Sequence, residues 1–261
     1  MDTGDYYQQH RLTSFKAAAN EYFGYAIATE DKFTIISAYG NSDKGLNAGV
    51  VYVFVREENT VYYGNQARIY PSDARANMLF GTAVSISNLH VVVGAQGDDQ
   101  QGPASGSAYV YTYISSTNSW EKEYKLMAEN SNQYDYFGCA VAIDHDTVAI
   151  GAYLADGVAS TTGVVYIFTR YEVDTGYGET KEYWRQLYEL MPPDGHPNSF
   201  FGHSVALSNG MLLVGSPGDG TIASASGSTY AYEVNERDEW SLVLQVDSPV
   251  VNGDDEFGCD V

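Results

Sequence analysis

Short apolar runs recur along the whole chain, each closed by a cluster of Gly, Asp, Asn or Ser. Thr147–Ala152 (TVAIGA) and Gly163–Phe168 (GVVYIF) are representative, and rich in Val, Ile, Tyr and Thr. Runs of this length and composition between turn residues predict β-strands. The nearest approach to a helix is Phe15–Glu21 (FKAAANE), which carries no sustained apolar stripe. The pattern predicts an all-β fold.

The runs are periodic. Phe-Gly occurs at Phe23, Phe80, Phe137, Phe201 and Phe257, in steps of 57, 57, 64 and 56 residues. Fourteen residues after each of the first four Phe stands a small pair: Ser37-Ala38, Gly94-Ala95, Gly151-Ala152 and Gly215-Ser216. A Gly follows at offset 26 and a Tyr three residues later: Gly49/Tyr52, Gly106/Tyr109, Gly163/Tyr166 and Gly227/Tyr230. Seventeen residues before each Phe-Gly is a large aromatic: Tyr6, Tyr63, Trp120, Trp184 and Trp240. The extra residues of the third unit fall between Tyr166 and Trp184, which reads as a lengthened hairpin.

Each unit therefore holds four strands, such as Phe137–Ile143, Thr147–Ala152, Gly163–Phe168 and Tyr183–Leu190. Four antiparallel strands per unit, repeated in register, describe a β-propeller blade. Residues 1–261 read as one propeller segment. Residues 1–22 hold strand 4 of a preceding blade (Tyr6 to Leu12), 23–79 repeat 1, 80–136 repeat 2, 137–200 repeat 3, 201–256 repeat 4, and 257–261 the start of repeat 5. The repeated Gly residues are expected where backbones crowd, and the Phe, Tyr and Trp between blades.

The set FG-x-[SA]-V-[AS]-[IL], V-[GS]-[AS], G-x-x-Y-x-[FY] and W-x5-[LIV] resembles the FG-GAP repeat of integrin α-subunits. Phe137–Ala152 (FGCAVAIDHDTVAIGA) and Gly106–Tyr113 (GSAYVYTY) are most similar to the calcium-loop-free version in secreted bacterial and algal proteins. The resemblance covers essentially the whole chain. It implies a parent ring of about seven blades, an extracellular or cell-surface location, and a role in adhesion or binding. Integrin repeats often carry a calcium loop between strands 1 and 2. Here those turns are Glu30-Asp31-Lys32, Asn88-Leu89-His90, Asp144-His145-Asp146 and Asn209-Gly210-Met211. None supplies six or seven oxygens around one ion, so no metal and no cofactor is expected.

Charge narrows the partners. The chain has 34 Asp+Glu against 13 Lys+Arg, formally −21. A nucleic acid would be repelled, and no stretch is long and apolar enough to be a transmembrane segment. The first residues, MDTGDYYQQHRLTSF, lack the basic and apolar regions of a signal peptide. Cys139 and Cys259 occupy the same repeat position and read as buried free thiols.

No catalytic motif stands out. The five His (His10, His90, His145, His196, His203) show no metal-ligand spacing, and no nucleophile elbow, P-loop or dinucleotide fingerprint occurs. The chain is expected not to be an enzyme. What remains is the loops. The strand 2–3 and strand 4–1 connections are long and emerge on one end of a propeller, where binding residues gather. Candidate partner-binding residues are Asp43, Asp98, Asp99, Asp156 and Asp219 in the former and Asp194 in the latter. Partners are then a protein or glycan on the long-loop face, or further blades or copies of the chain. The leading expectation is a non-catalytic extracellular adhesion module. A structural subunit of a surface or filament assembly, and an accessory propeller of a larger enzyme, are the alternatives.

Overall fold

The computed structural model describes residues 11–14, 16–58, 60, 63–176, 180–220, 226–248 and 256–261, without the side chains of 65 and 66. Sixteen strands in these residues form four antiparallel four-stranded sheets. Blade 1 is β1 (Ile27–Glu30), β2 (Phe33–Ala38), β3 (Val50–Arg56) and β4 (Tyr63–Ile69). Blade 2 is β5 (Phe80–Ser87), β6 (His90–Ala95), β7 (Ser107–Ile114) and β8 (Ser119–Leu126). Blade 3 is β9 (Ala140–Asp144), β10 (Thr147–Ala152), β11 (Val164–Asp174) and β12 (Thr180–Leu190). Blade 4 is β13 (Ser204–Ser208), β14 (Met211–Ser216), β15 (Ser228–Val234) and β16 (Trp240–Asp247). Spatial order follows chain order in every sheet, and the first strands of successive blades pack together. These are β-propeller blades, each with its first strand innermost. The strand expected over Tyr6–Leu12 lies largely outside the described residues. Leu12 itself packs beside Phe23 and Tyr63 on the outward face of blade 1.

Alternation along each strand gives a blade two apolar faces. On β2, Phe33 and Ile35 face blade 2, while Ile36 and Ala38 face the other way. Three cores result, between blades 1 and 2, 2 and 3, and 3 and 4. Each centres on a fully buried Phe-Gly phenylalanine (Phe80, Phe137, Phe201) against the Tyr of its own blade (Tyr109, Tyr166, Tyr230). Such a side chain contributes about 1.5–3 kcal/mol by burial. Blade 4 presents the same face outward, where Met211, Leu244 and Val246 are 46%, 56% and 41% exposed.

Glycine sets the seam between blades. The Phe-Gly phenylalanine of each blade donates its N–H to the residue preceding the offset-26 Gly of the blade before. These bonds are Phe80 N to Ala48 O (3.1 Å), Phe137 N to Ser105 O (3.1 Å) and Phe201 N to Thr162 O (2.8 Å). Phe257 N makes the same bond to Ser226 O (3.1 Å), so the fifth repeat begins in register. Strand 1 begins three residues after the Phe in blades 3 and 4, at Ala140 and Ser204, but at Phe80 itself in blade 2, which makes the same seam bond.

The third hairpin departs from the boundaries read in the sequence. β11 runs to Asp174 and β12 starts at Thr180. The inserted residues pair, Arg170 with Trp184 through Asp174 with Thr180, so the insertion is ladder rather than loop.

Candidate functional site

The strand 2–3 and strand 4–1 connections share one end and are tied together by backbone. Asn77 N donates to Leu46 O (2.6 Å) and Leu79 N to Asn47 O (3.1 Å). The pattern repeats from Tyr134 N to Pro103 O (2.8 Å) and Tyr136 N to Ala104 O (3.1 Å), and again from Asn198 N to Ser160 O (3.3 Å). The cost is a left-handed backbone at Asn77 and Leu79 (φ 61 and 57), at Tyr134 and Tyr136, and at Asn198 and Phe200. Strain of this kind persists only where surrounding structure over-determines it, so this end is a rigid platform.

The six carboxylates predicted for this end separate into different roles. Asp98 and Asp219 are 0% and 1% exposed, and neither is presented to solvent. Both stand eighteen residues after their Phe, as do Asn41 and Ala155. At all four positions the carbonyl accepts from the offset-26 Gly at 2.9 Å. This position is a buried pivot of the loop. Asp98 accepts from Ser107 Oγ (2.6 Å) and Gln100 N (3.1 Å), and pairs with Lys125 Nζ (2.6 Å) and Arg75. Asp219 accepts from the Tyr230 hydroxyl. Burial, then the neighbouring carboxylate, pushes the Tyr230 phenol up, keeping it a donor.

Asp43 is held by Lys16 Nζ (2.6 Å), Arg68 Nη1 (2.9 Å) and the Tyr70 hydroxyl (3.1 Å). The Lys16 hydrogen bond leads the effects that lower its carboxyl below the usual range. Asp99, Asp156 and Asp194 are exposed. Asp99 reaches Arg75 Nε (2.6 Å), and Asp156 accepts from Thr161 N (2.8 Å). The structure does not gather the six into one cluster.

Sequence reasoning missed the aromatic side chains here. Tyr22, Tyr25 and Tyr134 are 55%, 59% and 52% exposed. Tyr22 stacks on Tyr39 (centroids 4.9 Å, planes 4° apart), and Tyr25 meets the same ring edge-on at 4.5 Å. A second group joins Tyr136, Phe200 and His203 around Tyr153 at 5.7, 6.0 and 5.5 Å. The available signal was register: Tyr22, Leu79, Tyr136 and Phe200 all immediately precede a Phe-Gly.

The FG-GAP repeat model matches the chain four times, over residues 6–54, 63–111, 120–168 and 184–232. The chain belongs to the FG-GAP repeat family. Each matched unit inside the described residues starts on strand 4 of one blade and ends on strand 3 of the next. An FG-GAP unit therefore straddles a seam, and the seam glycines and phenylalanines are its invariant mechanics in this chain. No curated protein matches this one. Among solved structures, the fold is similar to the crystal structure of the computationally designed Ika4 protein. The TM-score is 0.44 and the identity 13%, covering 87% of this chain and 100% of that one.

At the opposite end, the strand 1–2 turns of the FG-GAP blades use their polar groups on one another. Glu30 accepts from Asn88 N (3.0 Å), and Asp144 from Asn209 N (2.6 Å). Asp146 pairs with Arg170 Nε (2.7 Å). The thiols divide. Half-buried Cys139 lies 3.5 Å from Gly202 O, and burial pushes its thiol up to about 12. Cys259 is exposed, contrary to the sequence reading.

Proposed function

We propose that this protein is a non-catalytic binding or adhesion module acting outside the cell, with the long-loop end of its propeller as the ligand face for a protein or glycan. The observation carrying this reading is the surface of that end. Rigid, exposed Tyr22, Tyr25 and Tyr134, with Leu46 at 65%, share it with outward Asp99, Asp156 and Asp194. Tyrosines supply large contact area at low entropic cost, and the carboxylates select a basic or hydroxyl-rich partner. Membership of the FG-GAP family supports both the binding role and the extracellular setting.

Surface plasmon resonance against immobilised extracellular proteins and polysaccharides tests it. Against whichever binds, Tyr25→Ala with Tyr134→Ala is expected to weaken affinity about tenfold or more, as loss of aromatic anchors does. Asp31→Asn, on the opposite end, is expected to leave it unchanged. Equal binding by all variants would remove the loop end as the ligand face.

The outward face of blade 4 favours a second reading, assembly through blade–blade contact. Met211 and Val246 stand where blade 1 has the buried Phe33 and Ile69, and Leu244 stands where blades 2 and 3 have the partly buried Tyr124 and Tyr188. Light scattering is expected to show self-association that Leu244→Lys reverses. A monomer at all concentrations would discard this reading.

A further inference from the structure

A groove of about 770 Å³ opens along the outer half of the seam between blades 1 and 2. Its sides come mainly from β3 and β4 of one blade and β7 and β8 of the next. It runs from Lys44 and Ser72 at the loop end to Asn118 and Ser119 at the β7–β8 turn. One position accounts for it. Thirteen residues before the Phe of the following unit stand Ala67, Tyr124, Tyr188 and Leu244. Ala67 pairs with Val53, Tyr124 with Val110 and Tyr188 with Ile167, so the strand register is the same in all three. Tyr124 packs against the core between blades 2 and 3, and Tyr188 against the core between blades 3 and 4. Blade 1 has only a methyl group there, and Ala67 is exposed in the groove. The missing ring leaves apolar surface facing water, a cost that a bound ligand removes.

The lining is aromatic and apolar within, polar at its rim. Half-buried Trp120 meets Phe33 edge-on at 5.3 Å and Tyr113 at 5.4 Å, and Phe33 and Tyr113 meet each other at 4.8 Å. Three rings packed in this way fix the indole in the wall. Val53, Val55 and Ile69 give the facing side its apolar surface. The charged groups of the rim are already engaged. Arg68 Nη1 pairs with Asp43 (2.9 Å), and Lys122 Nζ with Glu182 (3.6 Å). Lys44 Nζ lies 5.4 Å from the Tyr70 ring centre. Glu123 accepts from Ser72 N (2.8 Å) and the Tyr111 hydroxyl (2.9 Å), and Glu121 from the hydroxyls of Thr117 and Ser119.

We propose that this groove binds a short neutral oligosaccharide, one pyranose ring of which takes the place that Tyr124 and Tyr188 fill at the other seams. A pyranose has a flat C–H face and a hydroxylated edge. The C–H face suits the electron-rich face of the Trp120 ring. The edge suits a rim that offers both donors and acceptors, as sites for small polar ligands do. A charged ligand finds no single sign to pair with, since Lys44, Arg68 and Lys122 stand against Glu121 and Glu123. A wholly apolar ligand would cover these five groups without replacing their water, which is costly. Tyr22, Tyr25 and Tyr134 do not line the groove, so the site does not rest on the ligand-face reading.

Calorimetric titration with neutral tetrasaccharides of glucose, galactose, mannose and N-acetylglucosamine tests it, with tetragalacturonate and anilinonaphthalene sulfonate as charged and apolar comparisons. At least one neutral tetrasaccharide is expected to bind at a single site and to change the tryptophan fluorescence. Ala67→Tyr restores the side chain of blades 2 and 3. It is expected to weaken that binding about tenfold or more with an unchanged circular dichroism spectrum. Ala67→Ser keeps the groove open and is expected to bind as the native chain does. Trp120→Leu removes the stacking ring by an independent route and is expected to weaken binding likewise. Tyr25→Ala with Tyr134→Ala is expected to leave it unchanged. Binding of the charged or apolar comparison alone, or of none of the probes, would overturn the proposal. So would sugar binding that both Ala67→Tyr and Trp120→Leu retain, or that the tyrosine double variant loses.

Discussion

Alanine at Gly106 is expected to lower the unfolding free energy by about 3 kcal/mol or more, among the largest effects of any single methyl group here. Two costs combine. Gly106 has φ +84, a left-handed conformation that costs an L-residue about 1–2 kcal/mol. Its added Cβ would also lie 2.0 Å from Phe137 O and 2.5 Å from Phe137 N. Both are backbone atoms of the next blade, so no side chain can swing aside. Relief requires the blades to part, which breaks the Phe137 N to Ser105 O hydrogen bond and loosens the core around Phe137. Gly24 separates the two costs. It has φ +91 but nothing within 4 Å of the position its Cβ would take. Gly24→Ala is therefore expected to cost only the conformational part, about 1 kcal/mol. Urea unfolding of both variants checks this, and equal losses would mean that the seam tolerates the methyl group.

The same glycines show why the fold was legible before any coordinates. A residue that must be glycine for steric reasons recurs at a fixed offset whenever the contact recurs. Four such contacts in a row print a period on the sequence. The four-stranded blades and the buried Tyr and Phe followed from that period. Strand ends did not, since β5 starts at its Phe while β9 and β13 start three residues later on the same repeat pattern. The insertion was visible as added length, but its pairing as β11 and β12 depends on the partner strand's register.

The loop end was legible in place but not in detail. Gly, Asn and Asp are turn residues whether or not they bind anything, so composition alone could not sort the carboxylates. Counting from the Phe would have separated Asp98 and Asp219, at the pivot position, from Asp99 and Asp156, one residue further on. Exposed Tyr22 and Tyr25 adjoin the Phe-Gly motif, and nothing in the repeat spacing marks them as surface residues. Tyr22 has a left-handed backbone (φ 56), which no propensity scale encodes for tyrosine.

Asp98→Ala is expected to cost about 3–5 kcal/mol, the range for removing one partner of a buried charge network. The carboxylate is fully buried, and its loss removes an acceptor from four donors at once: Ser107 Oγ, Gln100 N, Lys125 Nζ and the Arg75 guanidinium. Lys125 and Arg75 keep Asp73 as a partner, at 2.6 and 3.7 Å, which limits the loss without abolishing it. Asp99→Asn, one residue away, removes only an exposed ion pair and is expected to cost no more than about 1 kcal/mol. Chemical denaturation ranks the two. The comparison also decides what an acidic loop residue does in this protein. If Asp98 met a partner directly, its loss would weaken binding and spare the fold. A structural pivot predicts the reverse order of effects, with Asp98→Ala unfolding early and Asp99→Asn melting like the native chain. Asp98→Asn sits between them, because the amide oxygen can still accept from Ser107 and Gln100 while the charge facing Lys125 and Arg75 is gone. A large loss for alanine and a smaller one for asparagine would assign the difference to hydrogen bonding and the remainder to charge.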